Sequence, residues 1–337
     1  MLWAMSPKIQ APRAPSPATS ARWSRRDWLR ASAAALVPAI SGWPRHAEAA
    51  EEKLLEQATS EYNTIMVTER GSLRTMYFVV EGTRYIESRW DMDHPNSLDL
   101  DYSRTMMAGF LVQPDTKRFM MMGLGGGQIS NYLFERFPEL EIDAVDIDPE
   151  VVRLARKYFG VPDSPRYRTH VGDGRLFIEN ATEPWDQIML DAFRGVFVPY
   201  HLKTREAYEA CLAKLTPGGV VVANLHNLTR MYPHDRQTLA AAFPQRYSFV
   251  SESGNQTTFV ASASESRVGT YAIRRNANKV AERFDFDLLG LCARYYMRTD
   301  WDTDARSLSD DFDPKELESA AQRHNTTCIA GCAYPAG

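Results

Sequence analysis

Cysteine is scarce in this 337-residue chain: Cys211, Cys292, Cys328 and Cys332 are the full complement. That is too few to build a fold on disulfides, although an oxidising compartment would permit one, with Cys328 and Cys332 the nearest pair. His324 with those two cysteines offers three candidate metal ligands in a Gly/Ala-rich terminus, so no metal site is expected. Long apolar runs are also missing. The run from Ala31 to Ile40 is too short to span a bilayer, so no membrane anchor is expected in the mature chain. Positive charge is in deficit where the folded body lies. Residues 1–49 carry seven Lys or Arg against two acids, a net of +5, which leaves −9 on the remainder out of an overall −4. A body so acidic does not attract nucleic acid through its overall field. No internal repeat is visible, and composition is ordinary for a globular protein.

The positive charge sits at the start. Ser24-Arg25-Arg26-Asp27-Trp28-Leu29-Arg30 precedes the alanine-rich apolar run, and Ala47-Glu48-Ala49 has the small-x-small pattern of a cleavage site. The segment resembles a twin-arginine export signal with Trp28 in place of the usual Phe; the other reading is a disordered basic arm. A working signal implies a periplasmic or secreted protein, and a cytoplasmic one follows if the signal is not functional. The remaining 288 residues suit one α/β domain with a small appendage.

What the chain does have is Arg118 to Asp148: an apolar strand, a glycine-rich turn, a helix, and a second strand ending on acids. Gly123, Gly125, Gly126 and Gly127 let the backbone turn sharply and approach a ligand, while the next helix directs free N–H groups into the same space. Asp146 stands 21 residues after Gly125, where an acid can accept from both hydroxyls of a ribose. A nucleoside ligand follows. The dinucleotide fingerprint is incomplete, because its third glycine slot holds Gln128 counted from Gly123, or Ser130 counted from Gly125. Strands are expected at 118–123, 142–147, 167–171, 187–192 and 218–225 with helices between them, which implies a doubly wound, Rossmann-like parallel sheet of the methyltransferase type. Runs at 246–252 and 256–263 around Gly254-Asn255 suggest a closing antiparallel hairpin at the sheet edge. Residues 50–59 read as a helical lead-in, 63–87 as β-hairpins, 99–112 and 273–297 as helical, and the tail after Thr299 as an acidic surface wrap. The expected division is 1–49 signal, 50–115 small β-hairpin domain with a linking helix, 116–270 nucleoside-binding domain, and 271–337 C-terminal helix and tail.

Several motifs then fall in one order: Tyr85-Ile86-Glu87-Ser88-Arg89, Asp101-Tyr102-Ser103-Arg104, Gly123 to Gly127, Val145-Asp146-Ile147-Asp148, Val171-Gly172-Asp173-Gly174 and Leu190-Asp191-Ala192-Phe193. Together they resemble the spermidine synthase (polyamine aminopropyltransferase) family, over about residues 60–265, with a weaker echo at Ser309 to Pro314. The resemblance implies a site for decarboxylated S-adenosylmethionine made by Asn63, Gly123, Gly125, Gly127, Gln128, Asp146, Ile147, Asp173 and Gly174, with Asp146 on the ribose and Asp173 on the adenine amino group. Asp146 and Asp173 also suit helix caps or loop acids. Asp191, at a strand's carboxyl end, is the expected base that takes the proton of an attacking amine, assisted by Tyr102, though it also suits a structural acid. Arg104, Arg194 and His201 are expected at the pocket of a small-molecule acceptor, an amine. His201 equally suits a loop histidine before the next helix, and Trp90, Asp91 and Asp93 either the acceptor entrance or an exposed loop. Family members commonly pair through the hairpin region, so a homodimer is expected.

Three departures stand against polyamines. Gln128, Arg194 and Arg104 each occupy a position where the family carries an acid. Like charges about 4 Å apart cost about 4 kcal/mol at an effective dielectric near 20, roughly a thousandfold in affinity. Two alternatives to aminopropyl transfer therefore stay open: a methyltransferase using intact S-adenosylmethionine, and a non-catalytic nucleoside-binding protein.

Overall fold

A computed structural model describes residues 51–193, 198–227 and 229–311. Arg194, Cys328, Cys332, His324 and the export-signal segment lie outside the described residues. Four strands come first: β1 (Lys53–Thr59), β2 (Thr64–Arg70), β3 (Leu73–Val80) and β4 (Thr83–Asp91). They form an antiparallel meander in the order β1-β2-β3-β4. The helix expected over 50–59 is therefore a strand. Ladder pairing from Lys53↔Glu69 to Thr59↔Thr64 decides it, together with a bulge between Leu54 and Glu56. Glu56 carries Arg153 at 2.6 Å, Lys157 at 2.7 Å and the Tyr158 hydroxyl at 2.8 Å, so long-range partners override local helix propensity.

Two short helices follow, α1 (Asp101–Met106) and α2 (Gly109–Val112). Then strands and helices alternate: β5 (Arg118–Met122), α3 (Gln128–Arg136), β6 (Glu141–Asp146), α4 (Pro149–Tyr158), β7 (Tyr167–Val171), α5 (Gly174–Asn180), β8 (Trp185–Leu190), α6 (Arg205–Ala213), β9 (Leu215–His226), α7 (Tyr232–Ala242), β10 (Gln245–Val250) and β11 (Gln256–Ser262). Last come α8 (Thr270–Val280), α9 (Leu288–Ala293) and β12 (Tyr295–Tyr296). The second sheet runs β12-β10-β11-β9-β8-β5-β6-β7, parallel from β9 to β7 and antiparallel beyond β9. The hairpin at Gly254 is present, but β12 pairs outside β10 and takes the edge. The helix expected over 273–297 is broken. The Tyr132 hydroxyl donates to Asp285 at 2.7 Å, and Asp287 caps α9 by accepting from Gly290 N at 2.8 Å, so these acids end one helix and start another.

Side chains alternate across the sheet with period two. Phe119 and Met121 of β5 pack on one face with α2, α3, α8 and α9, while Met120 and Met122 pack on the other with α5, α6 and α7. That double burial is why β5 reads as an unbroken apolar run. A third cluster fastens the small sheet to the main one: Ile65, Val67, Met76 and Phe78 meet Val151, Leu154 and Phe159 of α4 and its end. This contact lays β4 over the glycine turn. Among the described residues no helix is long and apolar enough to cross a membrane.

Candidate active site

The carboxyl ends of β5, β6, β8 and β9 open into a cavity of about 1100 Å³, roofed by β4 and α1. That volume suits a nucleoside with a second small molecule beside it. The turn after β5 is set by backbone contact. Gly123 has φ +91°, and a Cβ there would stand 2.5 Å from the carbonyl oxygen of Asp191, so only glycine lets β5 and β8 approach this closely. Ser88 of β4 accepts the Gly126 N–H at 2.7 Å, which ties the roof to the turn.

Asp146, at the end of β6, accepts from Leu124 N at 2.9 Å and Gly125 N at 3.4 Å through Oδ2, and from Asp148 N at 3.0 Å through Oδ1. A carboxylate has about four acceptor positions, so the acid shapes the turn and keeps a place on Oδ1 for a ligand hydroxyl. Burial raises it from 3.8 to about 6, against the pull of these amides. Asp173 is a helix cap: its Oδ1 accepts from Arg175 N and Leu176 N at the start of α5. Its Oδ2 meets His201 Nε2 at 2.8 Å, and that bond is the main cause holding the carboxyl down at about 2. His201 thus faces the cavity through Asp173. Asn63 lines the cavity and donates to Asp148 at 3.1 Å. Gly123, Gly125, Gln128, Ile147 and Gly174 line it too. Gly127 sits behind the turn as the left-handed N-cap of α3, where an added Cβ would meet Val161 at 2.9 Å.

Asp191 follows the last residue of β8 and faces the cavity with Tyr102 of α1. Tyr102 hydrogen-bonds its carboxylate, Asn224 Nδ2 donates to Oδ1 at 3.1 Å, and burial nonetheless raises the group from 3.8 to about 6. Such a carboxylate is ionised at neutral pH yet a better base than an exposed one. His226, at the end of β9, lines the same space, and burial lowers it to about 4.

Arg104, expected at the acceptor pocket, is turned away. Its guanidinium donates to the carbonyls of Leu98 at 2.7 Å and Asp99 at 3.3 Å and lies 3.8 Å from Glu252. The Arg104 charge is therefore met by the 98–99 loop carbonyls and Glu252. Trp90 packs on Gly160 and donates to Pro95 O, and Asp91 accepts from His94, which accounts for both without a ligand.

Glu87 was missed as a site residue. Met76 pairs with Ser88 and Tyr77 with Ile86, so Glu87 is the extra residue of a β-bulge, a device that re-aims side chains beside active sites. It lines the cavity, and its Oε1 is buried without a hydrogen-bond partner. Burial above all, then repulsion from Asp191 and Asp146, pushes its carboxyl well above the usual range. Asn224 was missed as well; its signal is an amide on an otherwise apolar strand, Val220 to Leu225. Among the described residues no group of His, Cys, Asp and Glu is placed to hold a metal.

Comparison with known proteins gives the family. Residues 102–250 match the spermine/spermidine synthase domain. A polyamine aminopropyltransferase of Vibrio vulnificus is 32% identical over 276 residues, which cover 79% of this chain and 92% of that protein. The Chromobacterium violaceum polyamine aminopropyltransferase is 30% identical over 66% of this chain and 85% of that one. In fold, the chain is similar to the crystal structure of a probable spermidine synthase from Corynebacterium glutamicum, with a TM-score of 0.56 at 22% identity over 66% of this chain and 86% of that one. With a domain match over residues 102–250 and sequence similarity running through nearly all of a curated relative, the chain belongs to the spermidine synthase family of transferases.

Proposed function

We propose that the protein transfers an aminopropyl group from decarboxylated S-adenosylmethionine to an amine, with Asp191 as the base. The observation that carries this reading is the setting of Asp191: bonded to Tyr102 and Asn224, raised to about 6, and facing a cavity into which Glu87 and Asp146 also look. The carboxylates of Asp191 and Asp146 in one space favour cations, and both the sulfonium donor and an amine acceptor are cations. The relatives' name, polyamine aminopropyltransferase, supports the same reaction. With Arg104 held by loop carbonyls, one of the two expected cationic obstacles to an amine is gone.

The acceptor nitrogen attacks the methylene carbon next to sulfur. A C–N bond forms, the C–S bond breaks, and its electron pair returns to sulfur, leaving a neutral thioether nucleoside. The proton lost from nitrogen goes to the Asp191 carboxylate, while Tyr102 and Asn224 hold that carboxylate in position. Asp146 and Asp173 fix the nucleoside from β6 and α5.

One observation favours the methyltransferase reading: Gln128 Nε2 is buried with no acceptor, and the carboxylate of intact S-adenosylmethionine would supply one. Product analysis separates the two. Incubation with either donor and a panel of diamines is expected to release methylthioadenosine from the decarboxylated one. Release of S-adenosylhomocysteine from the intact donor instead would make the protein a methyltransferase, and turnover of neither would leave a nucleoside-binding protein.

A further inference from the structure

Three side chains that line the cavity have a buried atom with no partner among the described residues, at Glu87 Oε1, Gln128 Nε2 and Asn224 Oδ1, the last a neutral amide oxygen on the side chain that already holds Asp191. The second is a donor and cannot hold a cation. The first is a carboxyl oxygen placed by a β-bulge. Its neighbour Ser88 is bonded to Gly126, and the carbonyl oxygen of Glu87 lies 3.8 Å from where a Cβ on Gly125 would stand. Glu87 is thus fastened to the turn that receives the donor. Glu87, Asp191 and Asp146 line the same cavity, and repulsion from Asp191 and then Asp146 adds to burial in raising the Glu87 carboxyl.

We infer that Glu87 binds the ammonium group on the three-carbon tail of the sulfonium donor, doing from the roof what an acid at position 128 would do from the turn. This rests on the donor assigned above. A buried carboxyl without a partner is costly, and a bound ammonium supplies both the missing hydrogen bond and the counter-charge. Because the tail ammonium is common to the decarboxylated and intact donors, Glu87 recognises either; the orphan amide of Gln128 is the group that separates them.

Calorimetry on the full chain and on Glu87→Gln tests this with three ligands: decarboxylated S-adenosylmethionine, intact S-adenosylmethionine, and 5′-dimethylsulfonio-5′-deoxyadenosine, which keeps base, ribose and sulfonium but lacks the amine. The variant is expected to bind whichever tailed donor the wild type prefers roughly ten- to a hundredfold more weakly, with the dimethylsulfonio compound changed less than about twofold. Loss of the tailed and untailed ligands alike, or no loss, overturns the assignment while leaving the donor reading intact. If the wild type binds the untailed compound as tightly as either donor, the donor reading and this one fall together. Removing a buried unpaired acid should not lower the midpoint of thermal unfolding, so a Glu87→Gln protein that melts earlier makes Glu87 structural and also overturns the proposal. Gln128→Asp added to Glu87→Gln is expected to restore much of the lost affinity, and no recovery would place the ammonium away from the turn.

Discussion

Asp191 is asked to be both buried and charged, and its neighbours decide how well it manages. Burial raises it to about 6, and the bonds from Asn224 and Tyr102 keep it from rising further. Asp191→Asn keeps the shape and removes the base, so turnover is expected to fall about 10²- to 10⁴-fold with little change in donor affinity, read by single-turnover kinetics beside calorimetry. The pH dependence has a definite sign. The free enzyme needs the ionised form, so kcat/KM should rise through an acid limb near pH 6, where Asp191 and Asp146 both titrate. Stability runs the other way. A folded-state value above the ordinary 3.8 means the folded protein holds its proton longer than the unfolded chain. The contribution to stability is fully present below about pH 4 and lost as pH rises through 6. Asp191→Asn should therefore be more stable than wild type at pH 8, by on the order of 2 kcal/mol in urea titrations, and show no such gain at pH 4. At this scale the acid that ends β6 and those that follow β7 and β8 were legible from sequence, because strand, turn and acid are consecutive in the chain and need no long-range information. Glu87 was not, since a bulge in β4 depends on pairing with β3. Nor was the direction of Arg104, which the rotation of α1 and the carbonyls of the 98–99 loop settle together.

At the level of elements, the glycine turn depends on contact between strands more than on its own flexibility. Gly123→Ala places a methyl group against the carbonyl of Asp191 at φ +91°, so both the dihedral and the space oppose it. The expected cost is about 1–3 kcal/mol in denaturant unfolding, together with loss of nucleoside affinity, since the clash pushes β8 and its acid away from β5. The alternation of strands and helices from 118 to 262 was readable because strands buried on both faces, as Phe119/Met121 and Met120/Met122 show for β5, are short unbroken apolar runs set between turns and segments of helical period. Segments stabilised mainly by distant partners were not. Lys53 to Thr59 has helix-tolerant composition and becomes a strand through the β2 ladder and the cations of α4. The break after α8 comes from Asp285 finding Tyr132, 153 residues away.

At the scale of the molecule, the small sheet is held to the main one by a cluster that includes Phe159, and the roof over the site is only as firm as that joint. Phe159→Ala is expected to cost about 3–5 kcal/mol and to weaken donor binding through the displaced β4, measured by unfolding and calorimetry on the same preparation. The charge distribution raises the question of where such a site works. A basic stretch with paired arginines precedes a body of net −9, and sulfonium nucleosides are made in the cytoplasm. We propose export of the folded protein, a route that allows the co-substrate to leave already bound in the cavity. Residues 1–60 fused to a reporter should carry it across the inner membrane, and Arg25→Lys with Arg26→Lys should stop it. If the fusion stays inside, the enzyme has its donor at hand and the acidic body needs no second compartment. If it is exported, then retention of donor by the exported protein becomes the limiting property, and a carboxylate that grips the tail ammonium from the roof is the group that would slow its loss.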